Sequence, residues 1–334
     1  MEPTRAAPAR REIRSKRVCL SRVAIPRLSR PVVVRGRVVD RRAPAFAKSI
    51  RARLAQAGAR RINRSVIIQQ SNLLFGQEKP RLFQFGGRAR SWRRGPATPV
   101  IWPNEVHVWK INLKAPGLCD NREILANDER IRASRFRFHT DSDRFIAARS
   151  SLRTILARYL RTQPAEVKFG LNPFGKPHLT GGQDKLGLRF NLSHSQDMAL
   201  LAVARNRDLG VDVEFRRADF ATDEVARRFF SRAERNQLGA IAPEQRTEAF
   251  FNCWTRKEAY IKARGEGLSF PLDQFDVSFA PDAPPALLGN RRDAHEVSRW
   301  SFEELSPADG YAAALTVEGN FSRLLLWDFP GSAI

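Results

Sequence analysis

The stretch WTRKEAYIKARGEGL, residues 254–268, carries the clearest helical pattern of this chain and decides how the rest is interpreted. Glu258 and Lys262 are four residues apart and share one helix face, where the plainest interpretation is an ordinary surface salt bridge. Lys257 is not needed for that pair, because it points about 100° away around the helix. The segment therefore offers one carboxylate with lysines on two different sides.

The residues before and after this stretch bound its helix. Ser231 and Glu234 have capping-box spacing and predict the start of a preceding helix. Pro243 breaks that helix, so a longer one is expected over residues 244–264. Gly265 follows directly and predicts the end of the longer helix.

The remaining body predicts short strands and helices in an order that occurs twice, without a residue-level repeat. From about Trp102 onward, a strand, helices and strands are followed by the same succession again. This order is compatible with an α+β fold of two similar halves. Strands are predicted at residues 106–113, 188–192, 198–204 and 210–215 and near 275–279, 298–304, 310–317 and 322–328, with the two earlier helices at about 121–138 and 143–161.

The positive charge of the chain is concentrated at one end. The formal net charge is +23, but the first 100 residues carry 25 Lys and Arg against 4 Asp and Glu, and the other 234 carry 33 against 31. Residues 1–103 show no sustained periodicity, so disorder is expected there. This segment is interpreted as a solvated or spurious leader, a nucleic-acid-binding arm or an organellar transit peptide. The body is expected to divide into halves at residues 104–208 and 209–330.

Composition argues against several other classes of protein. The chain has no apolar run near the roughly 18 residues that a membrane span needs, and no N-terminus typical of a secretory signal. Cys19, Cys119 and Cys253 are widely spaced and form no CxxC pair, so neither a disulfide framework nor a zinc site is indicated. We therefore expect a cytoplasmic protein without a membrane partner.

GVDVEF, residues 210–215, places two carboxylates on one strand face. Asp212 and Glu214 are two residues apart and point the same way, while Val211 and Val213 point to the other face and can pack. Mg²⁺ prefers oxygen ligands of this kind and usually keeps several waters. A solvent-facing acidic strand edge is the alternative interpretation.

Two further segments carry candidate phosphate-binding groups. NLSHS, residues 191–195, is expected to form a loop in which the side chains of Ser193, His194 and Ser195 suit a phosphate; a satisfied structural histidine is the alternative. FGKP, residues 174–177, is expected to be a turn. It places Lys176 at a loop tip, where by itself it is an ordinary exposed lysine.

The order and spacing of these segments resemble the 4′-phosphopantetheinyl transferase superfamily, in its monomeric, surfactin-synthetase-activating type. The family signature is a G-[IV]-D-[IV]-E strand followed further along the chain by W-[ST]-x-K-E-[AS]-x-x-K. Residues Gly210 to Glu214 and Trp254 to Lys262 match every fixed position. The resemblance covers about residues 105–330. It implies two fused, pseudo-twofold-related halves, each a small antiparallel sheet packed with helices.

The resemblance also implies an activity. Such enzymes transfer the 4′-phosphopantetheine arm of coenzyme A, the co-substrate, to a serine of an apo acyl or peptidyl carrier protein, and adenosine 3′,5′-bisphosphate leaves. A body of two halves resembles the monomeric type that serves secondary metabolism more than the short trimeric type of fatty-acid synthesis. A monomer with a carrier protein as its partner is therefore expected.

Carried over by motif, Asp212, Glu214 and Glu258 are expected to hold Mg²⁺ on the pyrophosphate of coenzyme A. Glu258, or a water that it orients, is expected to take the proton of the carrier serine. Lys262 is expected to face the pyrophosphate and stabilise the departing phosphate. The remaining groups expected to bind coenzyme A are Arg132, Arg144, Lys176, Ser193, His194 and Lys257, with Arg149 as a further candidate.

Two other functions compete with this interpretation. Another Mg²⁺-dependent phosphotransferase or a nuclease could use the same acids, but a nuclease should bind DNA through its body, which is nearly neutral. A non-enzymatic protein could instead bind nucleic acid through residues 1–103 alone. We expect no nucleic-acid partner for the folded body.

Overall fold

Residues 91–281 and 283–330 are described by the computed structural model of this protein. Disorder was predicted for residues 1–103, and residues 1–90 of that range lie outside the described residues. Within 91–103 a short strand is present, so the expectation of disorder up to residue 103 is wrong for this part. The fold is α+β, as predicted, with small and mainly antiparallel sheets packed with helices.

The strands and helices alternate in clusters along the described chain. The strands are β1 (Arg93–Arg94), β2 (Glu105–Asn112), β3 (Phe169–Leu171), β4 (Pro177–Leu179), β5 (Leu188–Ser195), β6 (Met198–Arg205), β7 (Leu209–Phe215), β8 (Phe275–Val277), β9 (Leu287–Asn290), β10 (Trp300–Leu305), β11 (Tyr311–Glu318) and β12 (Arg323–Asp328). The α-helices are α1 (Asn127–Ser134), α2 (His139–Leu160), α3 (Asp223–Phe229), α4 (Arg232–Ala240), α5 (Pro243–Arg264) and α6 (Glu296–Arg299).

Two sheets lie between two long helices. The first sheet has the order β1-β12-β2-β6-β5, and the second has the order β10-β11-β7. One face of the first sheet packs against α2, and its other face packs against the second sheet. Helix α5 covers the remaining face of the second sheet. Strand β12 lies beyond residue 209 in sequence but pairs parallel with β2, so the last strand completes the first sheet.

Most predicted elements are present with shifted ends, and strands β1, β3 and β4 and helices α3 and α6 are present although they were not predicted. The segment NLSHS is not a loop, because strand β5 continues through Ser195 and pairs with β6 over its whole length. The capping box at Ser231 and the left-handed C-cap at Gly265 are confirmed. Strand β9 was not predicted. The segment around it contains Pro and Gly rather than an alternating pattern.

No helix within residues 91–281 and 283–330 has the length and the apolar character that crossing a bilayer requires.

Gly210 lets β7 approach α5 at backbone distance. A Cβ atom at this position would lie 2.1 Å from the carbonyl oxygen of Ala259 and 2.4 Å from the backbone nitrogen of Ala263. Both neighbours are backbone atoms of α5 and cannot move aside as a flexible side chain could. The glycine of the GVDVEF segment is therefore a packing requirement for the strand and helix that carry the acidic residues.

We expect Gly210→Ala to separate β7 from α5. The extra methyl group should cost about 1–3 kcal/mol of stability through overpacking and should also lower activity, since it displaces the acids. Thermal unfolding and a turnover assay measure the two effects. Gly239→Ala is the matched control, because a Cβ there meets nothing within 4 Å. Equal unfolding temperatures for the two variants would contradict this account.

Candidate active site

Three acidic side chains lie within electrostatic reach of one another where β7 packs against α5. Asp212 and Glu214 alternate along β7 with Val211 and Val213, and the valines enter the core between the two sheets. Glu258 lies on α5 and interacts electrostatically with both acids of the strand. The alternation in GVDVEF predicted this division into a packing face and an acidic face.

Burial and the neighbouring negative charges raise the pKa values of two of these carboxyl groups. Burial, followed by the charge of Asp212, raises the pKa of Glu214 to about 8. Burial also raises the pKa of Glu258 to about 7, with Lys262 opposing the rise and Asp212 adding to it. Two of the three acids therefore take up protons near neutral pH, and a nearby cation would favour their ionised forms.

Asp212 is 2% exposed, and only one of its oxygens is paired within the described chain. Oδ1 accepts hydrogen bonds from Nζ of Lys262 at 2.5 Å and from Oγ of Ser193 at 2.8 Å. Oδ2 is buried and has no hydrogen-bond partner among the described residues. An unpaired buried carboxylate oxygen is costly, so Oδ2 is an atom that a bound cation could satisfy.

The carboxylate oxygens of Asp212, Glu214 and Glu258 are ligands of the kind that Mg²⁺ prefers. Within residues 91–281 and 283–330, no three His, Cys, Asp or Glu side chains lie close enough together to form a metal site as they stand. Mg²⁺ needs only one or two carboxylates from a protein, with waters and phosphates as its other ligands. Oδ2 of Asp212 is available as a ligand, and a cation would also offset the repulsion between Asp212 and the two glutamates, Glu214 and Glu258. Magnesium binding stays a prediction, and the chemistry of these residues is compatible with it.

Lys257 lies in the protein core and does not face the acids. Its side chain is 0% exposed and pairs with Glu234 at 2.8 Å. Its ammonium also donates to the carbonyl oxygens of Leu272 and Phe275, both at 2.7 Å. All three donors are thus used inside the fold, so the prediction that Lys257 binds coenzyme A is wrong. Lys257 does point to a different side of the helix from Glu258, as predicted, but its partner there is the buried Glu234 and not a phosphate.

Lys176 holds two elements together at the base of the site. Its Nζ donates to the carbonyl oxygens of Leu209 and Ala263, both at 3.0 Å. The neighbouring Asn172 donates to the carbonyl of Gly265 at 2.8 Å. The turn thereby satisfies backbone oxygens at the C-terminal end of α5, where a positive charge is favourable. Lys176 is not a free loop-tip lysine, and a contact with coenzyme A stays a prediction.

Ser193 is buried, and its hydroxyl is used by neighbouring protein groups. Its Oγ donates to Asp212 and accepts from Nζ of Lys262 at 3.0 Å. The predicted loop is wrong, because the residue lies inside β5, and a contact of its hydroxyl with a phosphate stays a prediction. His194 points to the opposite side of the strand and is exposed.

A group of cations surrounds His194. Solvent reaches the His194 side chain, yet the protein atoms packed around its ring partly desolvate it and lower the pKa of the imidazole, and the charges of Lys262, Arg132 and Arg144 lower that pKa further. Arg132 is exposed, and its guanidinium lies over the ring of Phe145. The structure therefore brings the predicted phosphate-binding groups into one basic region beside the acids.

Two arginines of α2 are held by acidic partners. Arg144 donates from Nε and Nη2 to Asp197, at 2.9 and 2.7 Å. Arg149 pairs with the buried Glu129, which also binds Arg153 at 2.7 Å. Arg149 therefore stabilises the packing of α1 on α2, and a contact with a phosphate stays a prediction. Arg144 borders the basic region and keeps its predicted role as a proposal.

Sequence reasoning grouped Ser195 with Ser193 and His194 as a phosphate-binding hydroxyl and missed its contact with Glu214. Its Oγ donates to Oε2 of Glu214 at 2.8 Å and accepts from the backbone N–H of Phe215 at 3.1 Å. The period-two spacing of Asn191, Ser193 and Ser195 could have shown it, since alternate polar residues on a strand share one face. The segment was interpreted as a loop, and that spacing was not used.

Two sequence models of known protein families match this chain. The sequence model of the 4′-phosphopantetheinyl transferase superfamily matches residues 208–316, and that of the 4′-phosphopantetheinyl transferase N-terminal region matches residues 116–206. The 4′-phosphopantetheinyl transferase HetI of Nostoc sp. is 38% identical over 241 residues, which cover 72% of this chain and 98% of HetI.

Two relatives from Bacillus subtilis are also similar. A 4′-phosphopantetheinyl transferase is 34% identical over 51% of this chain and 72% of its own length. The 4′-phosphopantetheinyl transferase Sfp is 28% identical over 58% of this chain and 81% of its own length. The identity to HetI over nearly its whole length, together with the two matched sequence models, shows that this chain belongs to the 4′-phosphopantetheinyl transferase superfamily.

Proposed function

We propose that the site between β7 and α5 transfers the 4′-phosphopantetheine arm of coenzyme A to a serine of an apo acyl or peptidyl carrier protein. The carrier serine oxygen forms a bond to the β-phosphorus of coenzyme A. The bond from that phosphorus to the bridging oxygen breaks, and adenosine 3′,5′-bisphosphate leaves with the electron pair. The observation that carries this proposal is the cluster of three acids beside a basic region, in a chain of this enzyme family.

Asp212, Glu214 and Glu258 are the residues that would hold Mg²⁺. A magnesium ion would offset negative charge on the pyrophosphate as a Lewis acid. The unpaired Oδ2 of Asp212 supports this assignment, as do the raised pKa values of the two glutamates.

Glu258 is the group proposed to accept the proton of the carrier serine, directly or through a water. Its pKa of about 7 lies near neutral pH, which is where a general base works best. Glu258 is 9% exposed, so the proton is transferred in a largely dehydrated environment. Lys262, which lies between the acids and the basic region, is proposed to neutralise the departing phosphate.

Arg132, Arg144 and His194 are proposed to bind the 3′-phosphate end of coenzyme A. Arginine suits this task because its planar guanidinium binds phosphate oxygens with two donors. Desolvation, followed by the positive charges of Lys262, Arg132 and Arg144, lowers the pKa of the His194 imidazole, and this crowding of cations supports the assignment. We further propose that the enzyme acts as a monomer in the cytoplasm.

The direct test is a carrier-loading assay. We expect an apo carrier protein, incubated with this enzyme, coenzyme A and Mg²⁺, to gain the mass of one phosphopantetheine, and chelation of the metal to stop the gain. A variant that starts at residue 91 should retain this activity, since nearly all of HetI aligns with only 241 residues of this chain. Absence of loading with every carrier tried would contradict the proposal. Loss of all function with residues 1–90 would favour the nucleic-acid-binding alternative.

A further inference from the structure

Strands β5 and β7 are edge strands of different sheets that lie side by side. They are joined by side chains of β5 that accept hydrogen bonds from the backbone of β7, and the two residues of each pair are 20 positions apart. The three bonds run to Asn191 Oδ1 from Val211 N at 2.9 Å, to Ser193 Oγ from Val213 N at 3.4 Å, and to Ser195 Oγ from Phe215 N at 3.1 Å.

The serine hydroxyls differ from the asparagine side chain because each also donates a hydrogen bond to an acid of the site. A hydroxyl has one proton to donate, and its oxygen can accept at the same time. Because Oγ of Ser195 accepts from Phe215 N, its proton is directed to Oε2 of Glu214 at 2.8 Å. Asn191 accepts from β7 in the same way but touches no acid of the site. The bond from Ser195 therefore links the rigid backbone of β7 to a specific rotamer of Glu214.

Ser195 contacts Glu214 and makes fewer other hydrogen bonds than Ser193, which contacts Asp212. Ser193 also accepts from Lys262, which itself pairs with Asp212, so removing it disturbs two charged groups at once. Ser195 makes two hydrogen bonds, one from the backbone and one to Glu214, and it is only partly buried. Changes at Ser195 thus report on the position of one carboxylate.

We propose that Ser195 is a positioning residue, which orients the Glu214 carboxylate for the divalent cation by tying it to the β5–β7 junction. This inference rests on the proposed function, because it assumes that Glu214 binds the metal. Partners that orient metal ligands usually change metal affinity by about 10–100-fold when they are removed. A purely structural serine would change stability without changing metal affinity.

The test measures Mn²⁺ binding by electron paramagnetic resonance, with coenzyme A present and a protein-free sample as the blank. Ser195→Ala is expected to weaken Mn²⁺ binding by about 10–100-fold and to raise the half-saturating Mg²⁺ concentration in carrier loading by a similar factor. Ser195→Thr keeps the hydroxyl and should restore both values. Asn191→Ala is the matched control, since it removes the same kind of backbone contact but should bind Mn²⁺ as the wild type does.

The outcomes separate this inference from the proposed function. Wild-type affinity in Ser195→Ala, or an equal loss in Asn191→Ala, would overturn the positioning role while leaving the transferase activity intact. A wild-type enzyme that loads carrier proteins without a divalent cation would overturn the metal assignment and this inference together. If Ser195→Ala does not fold, Ser195→Cys keeps the side-chain size with a much weaker donor, and the same loss of affinity is expected.

Discussion

Glu258→Gln should lower carrier loading by about 10²–10⁴-fold, the range typical of losing a general base, while the protein stays folded. The amide has nearly the same shape but can neither accept the serine proton nor offer a negative charge to the metal. Stability should not fall, because burial, with a further contribution from Asp212, raises the pKa of this carboxyl group to about 7 and makes its charge costly in the fold. Mass spectrometry of the carrier and thermal unfolding measure the two effects.

Glu248→Gln is the control for this experiment. Glu248 lies on the same helix and pairs with Arg216, but its side chain is 46% exposed and far less constrained. Its loss should leave the rate near that of the wild type and change stability by under about 0.5 kcal/mol. A Glu258→Gln enzyme that keeps more than about a tenth of the wild-type rate would exclude the proton-accepting role.

The sequence predicted the framework of the site because that framework depends on local periodicity. A strand with alternating valines and acids has only one amphipathic placement, and α5 has a proline near its start and a glycine at its end. The convergence of Asp212, Glu214 and Glu258 followed from the family resemblance, which identified two distant segments as parts of one site. Composition and spacing alone left a surface salt bridge open.

The roles of individual lysines could not be read from the sequence. Lys176 and Lys257 both lie in motif segments, yet their ammonium groups bind backbone carbonyls and, for Lys257, a buried glutamate. A periodic pattern shows which face a residue occupies, but what packs against that face depends on distant parts of the chain. The partners of Lys257 lie 15 to 23 residues away on either side, in elements that only the tertiary fold brings together.

Lys257→Met is expected to destabilise the protein by about 3–5 kcal/mol, because it leaves Glu234 charged and unpaired in the core. The carbonyl oxygens of Leu272 and Phe275 also lose their shared donor. The KM for coenzyme A should stay unchanged at temperatures where the variant is folded, since the ammonium does not face the site. Chemical unfolding and a titration of coenzyme A in the loading assay measure these two quantities.

The double variant Glu234→Gln with Lys257→Met separates loss of the pair from loss of packing. Removing both charges should recover much of the lost stability, because a missing ion pair costs less than an isolated buried charge. Lys185→Met, at an exposed position, should change stability by under about 0.5 kcal/mol. If Lys257→Met instead kept wild-type stability and raised the KM for coenzyme A, the lysine would reach the ligand, and the buried pair would not describe the working enzyme. The expected result assigns Lys257 to holding α4 and the segment after α5 against the helix that carries Glu258.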